Sequence, residues 1–257
     1  GWRGVKLTPH GEILHQYTGE IFTLVVRAEN ALTDIQQLTS GRISMGTTPG
    51  ISIYLAPEWV QRFRVQYPHL TVALQTGITS QIVTDVLANR LEIGIIEGEL
   101  EDNQSPRLAS AVLEEVEQQV IVGFKHPFWG RESVTLDDLH EKAFIVRQAN
   151  SQSRIWLEQT LHQYGVTPVI GAEFDNLESI KRAVSLGTCL TILPHYVVQK
   201  EVEEKLLCMI PITGKPLARS LKLIWDKDVY FSPITRAFLA ELSEFQSVLL
   251  PLIEGSR

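Results

Sequence analysis

The sequence predicts an α/β protein, with two subdomains joined by a two-stranded hinge and preceded by a long helix. A β-α-β-α-β order of apolar segments runs through residues 42–96, and the same order recurs through residues 143–193. Short apolar strands that alternate with helices are typical of mostly parallel sheets. The third observation is an apolar seam over residues 14–38, which predicts the long helix.

The long helix is predicted over residues 10–40, with Gly41 as its end. Its apolar positions follow at alternating spacings of three and four, as in the a/d seam of a coiled coil. The seam consists of Leu14, Tyr17, Ile21, Leu24, Ala28, Ala31, Ile35 and Leu38. A narrow stripe of this length can be buried along a partner helix, so we predict a dimerisation helix. The alternative is a helix packed on its own domain, because Val25 and Leu32 widen the stripe.

Composition and charge exclude several classes of protein. The chain of 257 residues is 44% hydrophobic and 21% charged, which is typical of a globular protein, and no apolar run is long enough to span a membrane. The net charge of −7 and the lack of a Lys/Arg cluster argue against a DNA-binding surface within these residues. Cys189 and Cys208 lie in apolar runs and are predicted to be buried free thiols. A start at Gly1 without a signal-like segment indicates a fragment of a cytoplasmic protein, although a mature secreted product would look similar.

The first subdomain is predicted to contain residues 41–123 and 224–257. Its strands are predicted at residues 42–47, 70–76 and 93–96, with residues 48–50 as a break in regular structure. One helix is predicted within residues 53–68, where Pro57 indicates a late start or a kink. Another is predicted within residues 77–90, with Thr79 or Ser80 as its N-cap. A helix over residues 234–250 closes the subdomain.

The second subdomain is predicted to contain residues 124–223. Its strands are predicted at residues 143–146, 169–174 and 189–193. Its helices are predicted over residues 153–164 and from the N-cap Asn176 to Gly187. The chain leaves the first subdomain through residues 118–124 and returns through residues 221–226. Two crossings of this kind make a hinge, and a hinged pair of lobes encloses a cleft.

Loops at the carboxyl ends of the strands are the candidate binding site, because ligands of such sheets bind where these loops meet helix N-termini. Hydroxyl groups, free backbone N–H groups and one arginine predict a receptor for a small polar, anionic molecule. Arg147 could hold a carboxylate or phosphate with a bidentate pair of hydrogen bonds. The candidate residues are Thr47, Thr48, Gly50, Gly77, Ile78, Thr79, Glu97, Gly98, Arg147, Gln148, Asn150, Ser151, Ser153, Asp175 and Asn176.

Simpler roles remain open for several of these residues. Thr48, Ser80 and Asn176 could serve only as helix caps, and Arg147 and Arg154 could be solvated. The aromatic segment at residues 126–130 is predicted to be a packed turn rather than a ligand cage. No metal site is predicted, because the histidines are scattered: His10, His15, His69, His126, His140, His162 and His195. No catalytic motif occurs, so no enzymatic activity is predicted.

Three segments in this order resemble the LysR-type transcriptional regulators. They are RGVKLTPHGE before the heptad helix, GRISMGTTPGISIYLAPEWVQRF after it, and NLESIKRAVSLGTCLTILP in the second subdomain. Residues 1–9 look like the end of the family's winged helix-turn-helix, and Leu7, Thr8 and Gly11 match the start of its linker helix. The resemblance implies a periplasmic-binding-protein-like fold of two Rossmann-like subdomains. It also implies a cytoplasmic homodimer or homotetramer that binds promoter DNA through a winged helix-turn-helix absent from this chain.

Within that family the sequence is most similar to the branch that controls CO2 fixation and inorganic carbon uptake in photosynthetic bacteria. This resemblance implies a small metabolite effector, with 2-oxoglutarate and 2-phosphoglycolate as candidates, and no other cofactor. Two rival functions stay open at this point. A periplasmic-type solute-binding protein would share the lobes and the cleft, and a strictly monomeric state would favour it. An α/β enzyme would need a convergent set of catalytic groups.

Overall fold

The fold begins with a long helix, α1 (Pro9–Leu32). The computed structural model describes residues 7–32, 40–100 and 105–254. Thr8 precedes the helix, and its Oγ1 accepts a hydrogen bond from the Gly11 N–H at 3.1 Å. This bond satisfies one of the free N–H groups at the start of a helix.

The predicted seam of α1 faces solvent. Leu14, Tyr17, Ile21 and Leu24 are 64, 60, 58 and 54% exposed, and Ala28 is also exposed. These described positions therefore do not pack on the helix's own domain, and their role in dimerisation stays a prediction. The side chains of Ala31, Ile35 and Leu38 lie outside the part of the chain that the structure describes.

The first unit contains three strands and three helices before the chain leaves it. They are β1 (Gly41–Thr47), α2 (Pro49–Tyr54), α3 (Ala56–Gln66), β2 (Leu70–Thr76), α4 (Thr79–Leu87) and β3 (Ile93–Glu97). The prediction of a break at residues 48–50 is wrong, because Pro49 begins α2. Pro57 falls in the first turn of α3, where its missing N–H costs no helical hydrogen bond. The late helix start predicted from Pro57 is thus confirmed.

The N-cap of α4 differs from the prediction. Ile78 occupies this position in extended conformation, and its side chain makes no capping hydrogen bond. Thr79 and Ser80 therefore lie inside the helix, and the prediction that one of them caps it is wrong. The N-terminal N–H groups of α4 keep no side-chain partner from the cap residue, which leaves them open to a ligand.

The second unit follows a long strand, β4 (Leu108–Val122). Its elements are β5 (Ala143–Arg147), α5 (Gln152–Gln163), β6 (Val169–Phe174), α6 (Leu177–Leu186), β7 (Leu190–Pro194), α7 (His195–Glu203) and β8 (Cys208–Ile210). The chain returns through β9 (Leu217–Asp226) and ends in α8 (Pro233–Ala240) and α9 (Gln246–Glu254). Short 3-10 helices cover Asp137–Leu139 and Ser243–Phe245. The single closing helix predicted over residues 234–250 is thus wrong.

One mixed sheet joins the two units, in the order β2-β1-β3-β9-β4-β7-β5-β6, with β8 paired to β4. The strands β2, β1 and β3 are parallel, and so are β6, β5 and β7. Between these groups, β4 and β9 pair antiparallel from Leu108–Asp226 to Gln118–Leu217. These two strands are the connection predicted as a hinge. The subdomain boundaries at residues 123 and 224 stay predictions.

A large hydrophobic core extends through both units. It includes Ile43 and Phe63 of the first unit and Ile145 and Val184 of the second. Burial of such apolar surface is the main favourable term in folding. Within the described residues, no helix is both long enough and apolar enough to cross a membrane.

Two smaller predictions concern residues 126–130 and the cysteines. The His126 and Phe128 rings pack edge to face with centroids 4.8 Å apart, and His126 Nδ1 accepts from the Phe128 N–H at 3.0 Å. Burial, with the charges of Lys142 and Arg131, lowers the pKa of His126. The packed turn is therefore confirmed. Cys189 and Cys208 are free thiols, but both are half-buried rather than fully buried.

Candidate functional site

A cavity lies between the two units at the carboxyl ends of β1, β3, β5 and β7. The cavity has a volume of about 100 Å³, which suits a small molecule. The predicted site residues in its lining are Thr48, Gly50, Ile78, Thr79, Glu97, Arg147, Ser151 and Ser153. Residues of both halves of the repeated β-α order therefore meet in one cavity. Their role in binding stays a prediction.

Other predicted site residues lie outside the lining. Thr47 is fully buried, and its Oγ1 has no hydrogen-bond partner. The Gln148 N–H donates to the Phe174 carbonyl oxygen at 3.0 Å, which joins the loop after β5 to the end of β6. The remaining residues outside the lining are Gly77, Gly98, Asn150, Asp175 and Asn176.

Asn176 is the N-cap of α6. Its Oδ1 accepts a hydrogen bond from the Ser179 N–H at 2.7 Å, while its Nδ2 donates to Asp175 Oδ1 at 2.9 Å. The capping role that was weighed against ligand binding for this residue is therefore confirmed.

We expect Asn176→Ala to lower the free energy of unfolding by about 1 kcal/mol, because a helix start loses its cap. Affinity for a ligand of the cavity should stay unchanged, since the side chain lies outside the cavity lining. Chemical denaturation and calorimetry measure the two quantities. Asn150→Ala is the matched control, because this exposed asparagine caps no helix; we expect its effect to stay within about 0.5 kcal/mol. A loss of affinity in the Asn176 variant alone would contradict this assignment.

Sequence reasoning missed a buried polar network on the cavity wall. Glu97 Oε1 accepts hydrogen bonds from Arg219 Nη1 at 2.7 Å and Gln118 Nε2 at 3.2 Å. Its Oε2 accepts a hydrogen bond from the Tyr196 hydroxyl. Burial, and then the negative charge of Glu97, raises the pKa of Tyr196, so the phenol stays protonated as a donor. The network joins β3 of the first unit to α7 of the second.

The backbone at Glu97 and Gly98 also contacts the Arg219 guanidinium. Its Nη2 donates to the Glu97 carbonyl oxygen at 2.9 Å. Gly98 has a φ of +114°, and a Cβ atom there would lie 2.4 Å from Arg219 Nη2. Gly98 is therefore required both by its backbone angle and by the close approach of the guanidinium. Gly98, a predicted site residue outside the lining, therefore supports the cavity wall by leaving room for Arg219.

A second polar bridge joins the units at Tyr54, which lies on α2. The Tyr54 hydroxyl donates to Glu178 Oε1 of α6 at 2.5 Å. The buried Lys181 lies 2.9 Å from Glu178 and 2.7 Å from Glu201. Burial and the bonded Glu178 carboxylate raise the pKa of Tyr54, so this phenol also remains a donor. The two tyrosines thus make hydrogen bonds across the cleft from opposite sides.

Arg147 is the cation that this site leaves available. Its guanidinium makes no hydrogen bond or ion pair with any residue that the structure describes, and its Nε is buried without a partner. Burial lowers the pKa of Arg147, while the charge of Asp175 opposes this shift. Arginine remains protonated at neutral pH even so. A half-buried, unpaired cation of this kind favours an anionic ligand.

The start of α5 adds hydrogen-bonding groups beside Arg147. Ser151 is the N-cap, and its Oγ accepts from the Arg154 N–H at 3.2 Å. Ser151, Gln152 and Ser153 line the cavity. The N-terminus of a helix carries a partial positive charge and free N–H groups, which suit a carboxylate or phosphate. In the described part of the chain, no group of three or more His, Cys, Asp and Glu side chains could hold a metal ion.

Comparison with known proteins assigns a family to this fold and cavity. The sequence profile of the LysR substrate binding domain matches residues 36–247. The chain belongs to the LysR substrate-binding domain family. A probable RuBisCO transcriptional regulator from Synechocystis sp. PCC 6803 is 29% identical over 245 residues, which cover 94% of this chain and 71% of that protein.

Solved structures share the fold of this LysR effector domain. The CcmR regulatory domain of Synechocystis PCC6803, in complex with 2-PG, has a TM-score of 0.71 at 22% identity, over 80% of this chain and 97% of that one. The effector-binding domain of QuiR, in complex with shikimate, has a TM-score of 0.68 at 21% identity, over 81% of this chain and 97% of that one. The two-lobed α/β fold predicted from the sequence is thereby confirmed.

Proposed function

We propose that this LysR effector domain senses a small organic anion between its two units and passes the signal to a paired subunit. The observation that carries this proposal is the unpaired guanidinium of Arg147 in the cavity lining. Thr48, at the start of α2, and Thr79, at the start of α4, line the same cavity from the first unit. A molecule that contacts both units stabilises the closed arrangement, and it shifts the equilibrium only by its difference in affinity for the two arrangements.

The candidate effectors are 2-oxoglutarate and 2-phosphoglycolate. Both are small acids whose carboxylate can accept bidentate hydrogen bonds from Arg147. The complexes of the related CcmR and QuiR domains, with 2-PG and shikimate, support a small-molecule ligand for this fold. The regulators of RuBisCO among the relatives support control of carbon-assimilation genes. The same relatives support a regulatory rather than an enzymatic role.

The exposed seam of α1 is the proposed route to the partner subunit. Its leucine, isoleucine and tyrosine side chains remain more than half exposed in one chain, and a second copy of α1 would cover them with a matching stripe. A solute-binding protein would have no use for such a helix. We propose a homodimer, or a homotetramer built from dimers, that contacts promoter DNA through a winged helix-turn-helix preceding α1 and acts in the cytoplasm.

Coupling between the two sites need not be large. Rotation of one unit moves the surface on which the effector domains pair, and α1 passes this change to the DNA-binding heads. A coupling free energy of roughly 1 to 3 kcal/mol gives a 5- to 150-fold response. By the same linkage, binding of DNA would change the affinity for the effector by the same factor.

Titration calorimetry with 2-oxoglutarate and 2-phosphoglycolate tests the proposal, combined with light scattering to measure the mass in solution. We expect saturable binding of at least one small acid, and a mass of two or four chains of 28.9 kDa. A strict monomer at micromolar concentration that binds no acid would contradict it.

A further inference from the structure

The cavity lining contains three arginines and, among the described residues, one carboxylate. That carboxylate, Glu97, is paired with Arg219, with Nη1 and Oε1 2.7 Å apart. The two side chains are only 8% and 7% exposed. Since water screens such a pair little, its two charges offset each other strongly. Arg219 and Glu97 together therefore present almost no net charge to a ligand in the cavity.

Arg154, the second arginine, is paired with carboxylates outside the lining. Its Nη2 lies 2.7 Å from Glu158 Oε1, and its Nη1 lies 3.7 Å from Glu173 Oε2. Nη1 also donates to the Arg147 carbonyl oxygen at 3.1 Å. This guanidinium is fixed as a support of the wall, and its charge is already offset.

Arg147, the third arginine, has no such partner within the described chain. The carboxylate of Asp175 acts on it only through its charge, and that carboxylate is exposed and bonded to Asn176 Nδ2. The cavity therefore offers one cationic side chain that lacks a hydrogen-bonded carboxylate, counted over the residues that the structure describes. It lies in the second unit, beside the N-terminus of α5.

The first unit contributes no lysine or arginine to the described lining. Its strongest attraction for an anion is the N-terminus of α4 at Ile78 and Thr79, which carries roughly half a positive charge. Much of the remaining wall is apolar: Ile78, Trp156, Leu157, Leu177, Ile180, Ile192, Leu193 and Val197. A second full negative charge on a ligand would lose its hydration there without gaining a cation.

From this charge balance we infer that the cavity selects a small organic acid with a single negative charge and an uncharged body. The carboxylate binds Arg147 and the start of α5, and the body packs against the apolar wall. This inference rests on the proposed function and narrows its ligand. Both 2-oxoglutarate and 2-phosphoglycolate carry more than one negative charge at neutral pH, so they bind more weakly than a singly charged acid of the same size.

A matched pair of acids tests the inference on the unchanged chain. 2-Oxopentanoate has the carbon chain and the 2-oxo acid group of 2-oxoglutarate, with a methyl group in place of the second carboxylate. Calorimetry at neutral pH should give an affinity at least about tenfold higher for 2-oxopentanoate, because only 2-oxoglutarate buries a second charge. Equal or tighter binding of 2-oxoglutarate overturns the inference.

The variant Glu97→Gln tests the same charge balance by changing the protein instead of the ligand. It removes the carboxylate that offsets Arg219 and keeps the shape of the side chain. The ratio of the two affinities should shift by about tenfold or more in favour of 2-oxoglutarate, since a second cation becomes available. Glu114→Gln is the matched control, because it makes the same charge change at an exposed position of β4 outside the lining. The same shift in both variants overturns the inference.

Different results would overturn the inference and the proposed function. If 2-oxoglutarate binds at least as tightly and Arg147→Gln abolishes its binding, the chain senses an anion in this cavity but does not select a single charge. If the chain binds neither these two acids nor 2-phosphoglycolate, the small-acid effector is lost and the inference falls with it. The comparison of the acids depends on no variant, so it stands even if Glu97→Gln fails to fold.

Discussion

Replacing Arg147 by Gln is expected to weaken effector binding by about 10- to 100-fold. The change removes a half-buried cation whose guanidinium makes no hydrogen bond or ion pair with the described residues. A hydrogen bond to a charged group contributes about 1.5–3 kcal/mol, and about 1.4 kcal/mol corresponds to tenfold in affinity. Calorimetry measures the effect, with whichever of 2-oxopentanoate, 2-oxoglutarate and 2-phosphoglycolate binds tightest as the ligand.

Arg64→Gln is the matched control for this prediction. Arg64 is exposed on α3 and lies outside the cavity lining, so the same loss of charge should leave the affinity unchanged. Both variants should unfold at the denaturant concentration of the parent chain. An unchanged affinity in Arg147→Gln, or an equal loss in both variants, would remove Arg147 from the binding site.

Replacing Leu24 by Glu is expected to convert the oligomer into monomers at micromolar concentration. Leu24 lies at the seam of α1 and is more than half exposed in the single chain, so the folded unit tolerates a charge there. In a paired helix the same glutamate would be buried without a partner, at a cost of roughly 3–5 kcal/mol. The dissociation constant should therefore rise on the order of a hundredfold or more. Light scattering should show the mass in solution fall towards the 28.9 kDa of a single chain.

His15→Glu provides the control for the seam. His15 is exposed on α1 next to the seam position Leu14, but at an angle that turns it away from the stripe. A glutamate at this position should leave the mass in solution unchanged. If Leu24→Glu keeps the parent mass while remaining folded, the subunits pair through another surface and the role proposed for α1 is wrong.

The local order of strands and helices could be predicted because each segment carries its own signal. The strands Leu70–Thr76 and Val169–Phe174 occur at the predicted bounds, and Asn176 caps α6 as its position before an apolar periodic run indicates. Periodicity and capping depend on residues close together in the chain. Such signals are therefore readable without any knowledge of the fold.

The polar wall of the cavity could not be predicted in the same way. Glu97 was a candidate because it ends a strand, but its partners Gln118, Tyr196 and Arg219 lie on β4, α7 and β9. They are 21, 99 and 122 positions away in sequence. No local pattern marks a side chain whose role depends on pairing across the sheet. Their approach follows from the antiparallel pairing of β9 with β3 and β4, and of β4 with β7, which only the structure supplies.

The helix ends show why some local predictions failed. Thr79 and Ser80 have side chains suited to an N-cap, yet the extended residue is Ile78, whose side chain makes no capping hydrogen bond. Ile78 and Thr79 line the cavity. A binding site can replace a cap, because a ligand can accept the hydrogen bonds that a cap would otherwise accept. The absence of a capping side chain at Ile78 thus agrees with a ligand site at this end of α4.

The most direct test is a crystal structure of the chain with the tightest-binding acid at saturating concentration. The account predicts the acid between the two units, with its carboxylate within hydrogen-bond distance of the Arg147 guanidinium and its body in contact with the loop at Thr48 or Thr79. An acid bound outside this cavity, or one that leaves Arg147 without contact, would contradict it.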